Sequence, residues 1–424
     1  MQNKNITLNL LALKIYLLML CFFPVSASAE IRLGANSDDA VKVGCLFPMT
    51  GRGGLYGHDS QIGIQIALEK IAATERYPDI QVLIEDSRSK ASRATRIARA
   101  FVQEEGTRFL CGVVNSSVAL QVAQVAAQEE VFFIGTDHAS SRLTEPLANP
   151  FYFRVSNNTK QSMLAGANYI KEHLLPKKDG HPIRISYIAP DYEYGYSAWQ
   201  DFTSALDELQ VPYQIVTTLW PRLYEPNYSP FIRALMEQPT DLIVNSMWGG
   251  DLVAFIQQAQ NTPLFNHSAF ANFDTGGNYE VLAALGDDMP NGLIMSSRHH
   301  TNWPNTELNH WFVNRFKSIS GRYPSYAAEG AYSGIMAIAE TLAIAGKSAD
   351  TPAIQKTLEQ LVLHLPEDPI GYSSFMDEKT HQLQQVITIG VTQPDPSQPP
   401  AMKLLSNWSV YYPSRFSPRS NTEH

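Results

Sequence analysis

The chain has 424 residues, with 32 Lys and Arg against 41 Asp and Glu, a net charge of −9 and three cysteines. An acidic balance of this kind argues against a nucleic-acid partner and against adhesion to an anionic membrane. The length exceeds what one hydrophobic core usually serves, so we expect a freely soluble protein of two domains.

The first 29 residues have the pattern of a secretory signal peptide. Lys4 and Lys14 accompany an apolar run over residues 8–25, no acidic residue occurs in this stretch, and Ala-Ser-Ala at 27–29 fits the cleavage rule. We expect cleavage after Ala29 and a periplasmic protein, with an uncleaved anchor helix as the alternative. No later stretch reaches the ~18 apolar residues that a membrane-spanning helix needs.

The segment 41–73 predicts a strand, a Gly-rich loop and a helix. Val41, Val43, Cys45 and Leu46 form a short apolar run. Pro48 and three glycines then interrupt regular structure, and an apolar face with helical spacing begins near Gln61. Tyr56 lies where the loop enters the helix. In a parallel α/β sheet this entrance is at the carboxyl edge of the strands, where ligands bind. We therefore place Tyr56 at the rim of a small-molecule cleft, with a plain surface turn as the alternative.

The glycines of this loop fit neither phosphate-binding template. From Gly51, the sixth position of G-x-G-x-x-G is Tyr56, and Gly57 is followed by His58 where a P-loop needs Lys. No G-x-S-x-G or H-E-x-x-H motif occurs elsewhere. We therefore expect no nucleotide, no other cofactor and no catalysis.

Strand and helix patterns alternate along the rest of the chain, first in one series and then in a second. The predicted strands span 80–84, 109–114, 131–134 and 151–155, then 183–189, 213–219, 241–247 and 268–273, and later 292–295, 372–376, 386–391 and 403–410. The predicted helices lie near 94–103, 118–128, 160–175, 195–209, 229–237, 252–260, 307–319 and 326–345. Gly330 and Gly334 in the last helix permit close packing. The alternation predicts an α/β fold of two doubly wound lobes with parallel sheets.

Two cysteines remain after the leader. Cys45 and Cys111 both lie in apolar, strand-like runs. Neighbouring parallel strands could bring them close, but a disulfide within a buried sheet is geometrically demanding. We favour buried free thiols over a disulfide.

A series of short motifs extends over nearly the whole chain after the leader, from Val41 to Tyr411. In order, the motifs are Gly44-Cys45-Leu46-Phe47-Pro48, Tyr56-Gly57, Asn115-Ser116-Ser117, Leu143-Thr144, Phe153-Arg154, Tyr194-Gly195 and Tyr228-Ser229-Pro230-Phe231. This order resembles the type I periplasmic solute-binding proteins of ABC importers, in the leucine/isoleucine/valine-binding family that includes amide and urea binders.

The resemblance implies two lobes that close on a ligand by hinge motion, a case of hinge closure that is well known for such proteins. It implies three crossovers, near Ser156, Asp274 and Leu363. We accordingly expect lobe I to comprise residues 30–155 and 278–362, lobe II residues 156–277 and 363–413, and a disordered tail at 414–424.

Polar residues after predicted strands are candidates for binding the ligand's charged groups. Ser116 and Ser117 begin a helix, where a hydroxyl and backbone N–H groups can hold a carboxylate, although either residue can also be a plain N-cap. Asp274 matches the family position that pairs with a ligand ammonium, or else closes an Asx-turn. Asp137, His138 and Ala139 occupy a rim loop where the family has small residues, and a carboxylate there disfavours a plain aliphatic amino acid. Local capping by Asp137 with an exposed His138 is the alternative.

Aromatic residues are candidates for the walls of the cleft. Tyr56, Tyr194 and Trp248 follow strands and can bury ligand carbon or stack on a cation or amide, with ordinary core packing as the alternative. The pair His299-His300 suggests a metal site, but no further ligand is suitably spaced, so we expect a solvated loop and no metal.

The sequence thus predicts a monomeric binding protein that captures a small polar solute: an amino acid, an amide, a urea, a betaine or a related amine. By the resemblance, its partner is an ABC permease of the inner membrane. A ligand sensor, or an accessory protein acting with a regulator or a redox enzyme, is the alternative.

Overall fold

The computed structural model describes residues 30–144 and 149–413. The predicted signal peptide and the predicted disordered tail lie outside the described residues. The strands are β1 (Ile31–Gly34), β2 (Val41–Phe47), β3 (Ile80–Asp86), β4 (Phe109–Gly112), β5 (Phe132–Gly135), β6 (Tyr152–Arg154), β7 (Ile183–Ile188), β8 (Tyr213–Leu219), β9 (Leu242–Asn245), β10 (Ala269–Asn272), β11 (Ile294–Ser296), β12 (Val362–Leu363), β13 (Ser374–Asp377), β14 (Gln382–Gln384), β15 (Ile387–Pro394) and β16 (Lys403–Tyr411).

Helices of very different lengths connect these strands. They are α1 (Gly54–Ala72), α2 (Ala91–Gln103), α3 (Ser116–Gln128), α4 (Thr159–Tyr169), α5 (Glu193–Glu208), α6 (Ser229–Met236), α7 (Gly249–Ala259), α8 (Leu264–His267), α9 (Tyr279–Leu285), α10 (Glu307–Ser320), α11 (Tyr326–Ala345) and α12 (Thr351–Glu359). None of the described helices combines the length and apolar character that crossing a bilayer requires.

The strands form two sheets. The first has nine strands in the order β1-β3-β2-β4-β5-β6-β14-β13-β12, and the second has seven in the order β16-β15-β11-β10-β9-β7-β8. The central pairs of both sheets are parallel. Antiparallel strands extend both edges of the first sheet and one edge of the second, whereas the parallel strand β8 forms the other edge of the second sheet. Separate apolar clusters fill the helix–sheet layers of each lobe. The predicted fold of two doubly wound α/β lobes is confirmed.

The chain changes sheets at positions that differ in part from the predicted crossovers. The first change falls between β6 and α4, the second after β11, and the third between β14 and β15. The expected crossings at Asp274 and Leu363, and with them the boundaries at 277/278 and 362/363, come too early. The reason is packing: the apolar face of α9 joins the core of the second lobe, and β14 pairs with β6 in the first sheet.

The two cysteines form a disulfide, so the preference for free thiols was wrong. Cys45 lies directly opposite Cys111 in the parallel register of β2 and β4, and their Cα atoms are 4.4 Å apart. This separation lies at the short end of the range that a disulfide bridges. The bond therefore ties together the two strands whose carboxyl ends lead into the loop before α1 and into α3.

The glycines of α11 allow the close packing that the sequence suggested. A Cβ on Gly330 would lie 2.3 Å from the carbonyl oxygen of Thr136, and a Cβ on Gly334 would lie 2.7 Å from Thr136 Cγ2. Helix α11 therefore lies directly against the end of β5, which fixes the position of the loop that begins at Asp137.

Candidate functional site

A small cavity lies between the lobes, where the loops after the central strands of both sheets meet. Its volume is about 20 Å³, enough for roughly one water molecule. It is lined by Val114, Ser116, Asp137, His138, Ala139, Tyr192, Tyr194, Trp248, Thr275, Arg298 and Tyr326. Because parallel sheets bind ligands beyond the carboxyl ends of their strands, this cavity is the candidate site. A wider groove of about 510 Å³ lies outside the cleft, beside α4 and the end of β16.

Most of the residues that the sequence singled out meet at this cavity. Six of them line it: Ser116, Asp137, His138, Ala139, Tyr194 and Trp248. Tyr56 lies one layer behind, against Trp248, and Asp274 lies behind Arg298. Ser117 is exposed and does not line the cavity.

Ser116 begins α3, and Asn115 caps the helix. The Asn115 side chain accepts hydrogen bonds from the backbone N–H groups of Ser117, at 2.9 Å, and Val118, at 3.2 Å. Neither serine is therefore the N-cap. Ser116 is buried, and its Oγ accepts a bond from the Ser140 N–H at 3.3 Å. The hydroxyl and the positive end of the α3 dipole thus face the cleft together.

The Asp274 carboxylate is fully buried and surrounded by donors. Oδ1 accepts bonds from Asn157 Nδ2, Ser162 Oγ and Arg298 Nε, at 3.2, 3.0 and 3.1 Å. Oδ2 accepts bonds from Tyr194 Oη at 2.8 Å and Arg298 Nη2 at 2.6 Å. Burial alone would raise the pKa of Asp274, but Arg298 and the other donors hold it below its usual value. The carboxylate is therefore ionised, and hydrogen-bond donors of the protein occupy both of its oxygens.

The sequence suggested that Asp274 could close the turn after β10, but Asn272 closes it instead. Asn272 Oδ1 accepts bonds from the N–H groups of Asp274, Thr275 and Gly276, at 3.2, 2.9 and 2.8 Å. Because Asn272 forms this Asx-turn, the Asp274 side chain is directed to Arg298 and Tyr194 instead.

Arg298 bridges the two lobes. It follows β11 of the second sheet and pairs with Asp274, while its Nη1 donates to the carbonyl oxygen of Asp137 in the first lobe. The guanidinium also lies 5.1 Å from the ring centroid of Tyr326, within cation–π range. Burial alone would lower the pKa of Arg298, but Asp274 raises it, so the group is a permanent cation in the cleft.

Asp137 and His138 differ sharply in how their side chains are satisfied. Burial raises the pKa of Asp137 well above its usual value, and its Oδ1 has no hydrogen-bond partner among the described residues. Both ring nitrogens of His138 are hydrogen-bonded: Nδ1 lies 2.9 Å from the carbonyl oxygen of Val113, and Nε2 lies 2.6 Å from Tyr152 Oη. Burial lowers the pKa of His138 to about 3, so the ring is neutral. The alternative of an exposed His138 was wrong.

A buried arginine fixes the rim loop after β5. Arg154 is fully buried, and its Nη1 donates to the carbonyl oxygens of Ser140, at 2.8 Å, and His138, at 3.3 Å. Its Nη2 donates to Thr144 Oγ1 at 2.8 Å, and its Nε donates to Gln382 Oε1 at 2.7 Å. A fork of donors therefore holds the loop that carries Asp137 to Ala139 in one shape.

Aromatic rings from both lobes surround the cavity. The Tyr56 ring packs 5.7 Å from Trp248 of the second lobe and 5.4 Å from Tyr326 of the first. Trp248 Nε1 donates to Tyr192 Oη at 3.0 Å, and Tyr192 packs on Tyr194 at 6.0 Å. These rings give the cleft flat apolar walls with hydroxyl groups at their ends.

Further contacts hold the lobes together around the cavity. Tyr56 Oη donates to Glu280 Oε1 of α9 at 3.1 Å, while Glu280 Oε2 has no partner among the described residues. Burial raises the pKa of Glu280 to about 7. On α5, Glu193 accepts bonds from Ser140 Oγ and Arg142 Nη1 of the first lobe, each at 2.7 Å. The small cavity and these contacts describe a closed cleft.

The histidine pair is buried, which corrects the expectation of a solvated loop. His299 and His300 are 2% and 5% exposed. His299 Nε2 lies 2.9 Å from Asn309 Oδ1, and the ring of His300 meets Trp408 edge-on at 4.7 Å. Burial lowers the pKa values of the two rings to about 4 and 3. Within residues 30–144 and 149–413, no group of three His, Cys, Asp or Glu side chains is placed to hold a metal ion.

Sequence reasoning missed several residues at or beside the cavity, above all Arg298, Tyr192, Tyr326 and Glu280. The signal for Arg298 was present, because it follows a predicted strand by a few residues, as the other cleft residues do. The strand before Arg298, predicted at 292–295, falls within the residues expected for lobe I, whereas β11 lies in the second sheet.

Similarity to known proteins extends over most of the chain. A family model described as periplasmic binding protein matches residues 40–395. The chain is similar to the Leu/Ile/Val-binding protein homolog 7 of Brucella suis biovar 1, at 23% identity over 380 residues that cover 88% of this chain and 93% of that protein.

Two solved structures share the fold. One is the solute binding protein of an ABC transporter from Rhodopseudomonas palustris BisB5, in complex with 3,4-dihydroxy benzoic acid, with a TM-score of 0.77, 21% identity, and coverage of 88% of this chain and 98% of that one. The other is an amino acid ABC transporter substrate-binding protein from Pseudomonas fluorescens Pf-5, with a TM-score of 0.76, 20% identity, and coverage of 88% and 97%.

Proposed function

Since the chain belongs to the periplasmic binding protein family, whose members bind solutes and do not catalyse reactions, we propose that it is the solute-binding component of an ABC importer. It captures a small polar solute between its lobes by hinge closure and delivers it to an inner-membrane permease. The observation that carries this proposal is the composition of the cleft, in which side chains after the strands of both sheets surround one cavity. Such a site is assembled only when the lobes close.

The solute we propose carries a carboxylate or a comparable polar acceptor. Ser116 places a hydroxyl at the positive end of α3, and Arg298 adds a cation from the second lobe. The neighbours with the same fold include an amino acid binder and a protein in complex with an aromatic acid, and a carboxylate is the group that these two solute classes share. Amino acids, amides and aromatic acids are therefore the classes to test first.

The proposed location is the periplasm, after cleavage of the leader behind Ala29. Family membership supports the compartment, and the Ala-Ser-Ala tripeptide at 27–29 supports the site. Mass spectrometry of the protein from a periplasmic extract measures the N-terminus directly. A mature chain that begins at Glu30 is the expected result, and any other first residue contradicts the proposed cleavage site.

A thermal-shift screen of amino acids, amides, ureas, betaines and small organic acids tests solute capture. At about 100 times Kd, a solute that binds only the folded protein adds about 2.7 kcal/mol of stability, which raises Tm by several degrees. If no compound in these classes shifts Tm, the proposed solute class is wrong.

The variant Trp248→Ala tests whether the solute binds in the cleft. Loss of one aromatic wall should weaken binding by about tenfold or more, measured by calorimetry. Trp311→Ala is the matched control, because Trp311 lies on the outer face of the first lobe and is 39% exposed. Equal affinities of the two variants would place the solute elsewhere.

A further inference from the structure

The Asp274 carboxylate, which a solute ammonium group would need as its acceptor, is already hydrogen-bonded to groups of the protein itself. Asp274 accepts five hydrogen bonds, two of them from Arg298. A carboxylate offers about four lone-pair sites, so no acceptor capacity remains for a solute ammonium. Asp274 therefore serves as the counter-ion of Arg298 rather than as a ligand for an amine.

The charges around the cavity also disfavour an amine. The guanidinium of Arg298 lies in the cleft, and a second cation beside it would be repelled. Asp137 lines the cavity with its Oδ1 unpartnered among the described residues, and burial raises its pKa well above the usual value, so the group is favoured as a neutral carboxyl that can donate a hydrogen bond. The cleft thus presents a paired cation, a helix N-terminus and a neutral acid, all of which suit an anion.

Arg298 has one donor, Nη1, whose partner lies in the other lobe. Its bonds to Asp274 lie within the second lobe, whereas Nη1 donates to the carbonyl oxygen of Asp137 in the first lobe. When the lobes separate, Asp274 and Arg298 stay together because both follow strands of the second sheet. Nη1 then faces the open cleft opposite Ser116.

From this geometry we propose that the solute is a carboxylate with an aromatic or branched apolar body and no ammonium group, and that Arg298 is the residue that determines this specificity. The inference rests on the proposed function of solute capture in the cleft. The solute carboxylate replaces the Asp137 carbonyl as the acceptor for Arg298 and bridges to the hydroxyl of Ser116 at the start of α3. The rings of Tyr192, Trp248 and Tyr326 enclose its apolar body.

Two pairs of compounds that differ only in the ammonium group test this specificity. They are 3-phenylpropanoate against phenylalanine, and 4-methylpentanoate against leucine, each titrated by calorimetry into the full-length mature protein. At least one of the compounds without the amine should bind, and should bind about tenfold or more tightly than its amino acid. If an amino acid binds more tightly than its partner, or if neither amine-free acid binds, the inference fails. The wider screen still decides whether the protein captures a solute at all.

Variants at Arg298 connect the specificity to this residue. Arg298→Gln should lower the affinity for the amine-free acid by about tenfold or more and reduce its preference over the amino acid. Arg298→Lys keeps the charge and should retain a larger part of the preference, which separates charge from a general folding defect. Arg315→Gln, on the outer face of the first lobe, is the control. An unchanged ratio of affinities in Arg298→Gln with intact folding would overturn the assignment.

Discussion

At the scale of single residues, Glu280 connects closure of the cleft to pH. In the closed form the residue is half-buried, but its carboxyl group is shielded from water beside Tyr56 and near Asp59, and this desolvation raises its pKa from 4.5 to about 7. Opening returns the carboxyl to water and its pKa toward the ordinary value. Between these two values the closed form binds a proton that the open form lacks, so closing takes up a proton and is favoured at low pH.

The affinity for solute should therefore fall as the pH rises from about 5 to about 7 and level off above 8. The total change attributable to Glu280 is about tenfold or more, since one unit of pKa shift corresponds to a factor of ten. Calorimetric titrations of wild type, Glu280→Gln and Glu307→Gln across this range measure it. Glu307 is the control, because it is exposed in the first turn of α10. A pH dependence in Glu280→Gln that equals that of wild type would contradict the prediction.

The residues that sequence reasoning found share one property: each follows a strand whose lobe was assigned correctly. This rule located Tyr56, Ser116, Tyr194 and Trp248, because the carboxyl ends of parallel strands meet at one edge. It located Asp274 as well, but it gave no information about Arg298 as its partner. An ion pair between residues on different strands depends on strand order, which periodicity does not contain.

At the scale of elements, the disulfide fixes β2 against β4. The two cysteines are separated by 66 residues in the sequence. On the chain-entropy account, closing a loop of this length removes enough freedom from the unfolded chain to stabilise the fold by about 4 kcal/mol. Since both side chains are fully buried, the bond is shielded in the folded protein.

The double variant Cys45→Ala/Cys111→Ala should lower the free energy of unfolding by about 4 kcal/mol. Urea titrations of oxidised wild type, reduced wild type and the double variant measure the change. The reduced wild type is the control, because it loses the bond but keeps both sulfur atoms in the core. If the double variant and the oxidised wild type unfold at the same urea concentration, these strands are not joined in the protein in solution.

The elements themselves were easier to predict than their partners. Apolar periodicity gave strands close to β3, β7, β9 and β10, because a buried strand and a helix with one buried face have different repeats. It could not assign β11 to a sheet, since its three residues, Ile294–Ser296, carry no information about their neighbours. The cysteines show the same limit, because only the register of β2 and β4 brings them opposite each other.

At the scale of the whole molecule, closure of the lobes depends on contacts that lie around the rim of the cleft. Glu193 is the centre of one such set, with bonds from Ser140 and Arg142 of the first lobe. The Glu193 side chain is 14% exposed and that of Arg142 is 63% exposed, so solvent screens this ion pair and its contribution is modest. This ion pair is thus one modest contribution to the closed state beside the interlobe bonds of Arg298 and Tyr56, and a solute in the cleft can decide the balance between open and closed forms.

Removing the Glu193 carboxylate should shift the equilibrium between the closed and open forms towards the open form. Glu193→Ala should increase the radius of gyration of the solute-free protein in small-angle X-ray scattering and weaken solute binding by about two- to tenfold, as expected for the loss of about 0.5–1.5 kcal/mol of closure energy. Saturating solute should restore the compact form, because binding energy offsets the lost contacts. Glu208→Ala, at the other end of α5 and exposed, removes the same charge from the same helix without touching the first lobe. If both variants scatter and bind alike, the contacts of Glu193 do not contribute to closure, and the balance between the two forms must be set within the cleft, by Arg298 and Tyr56.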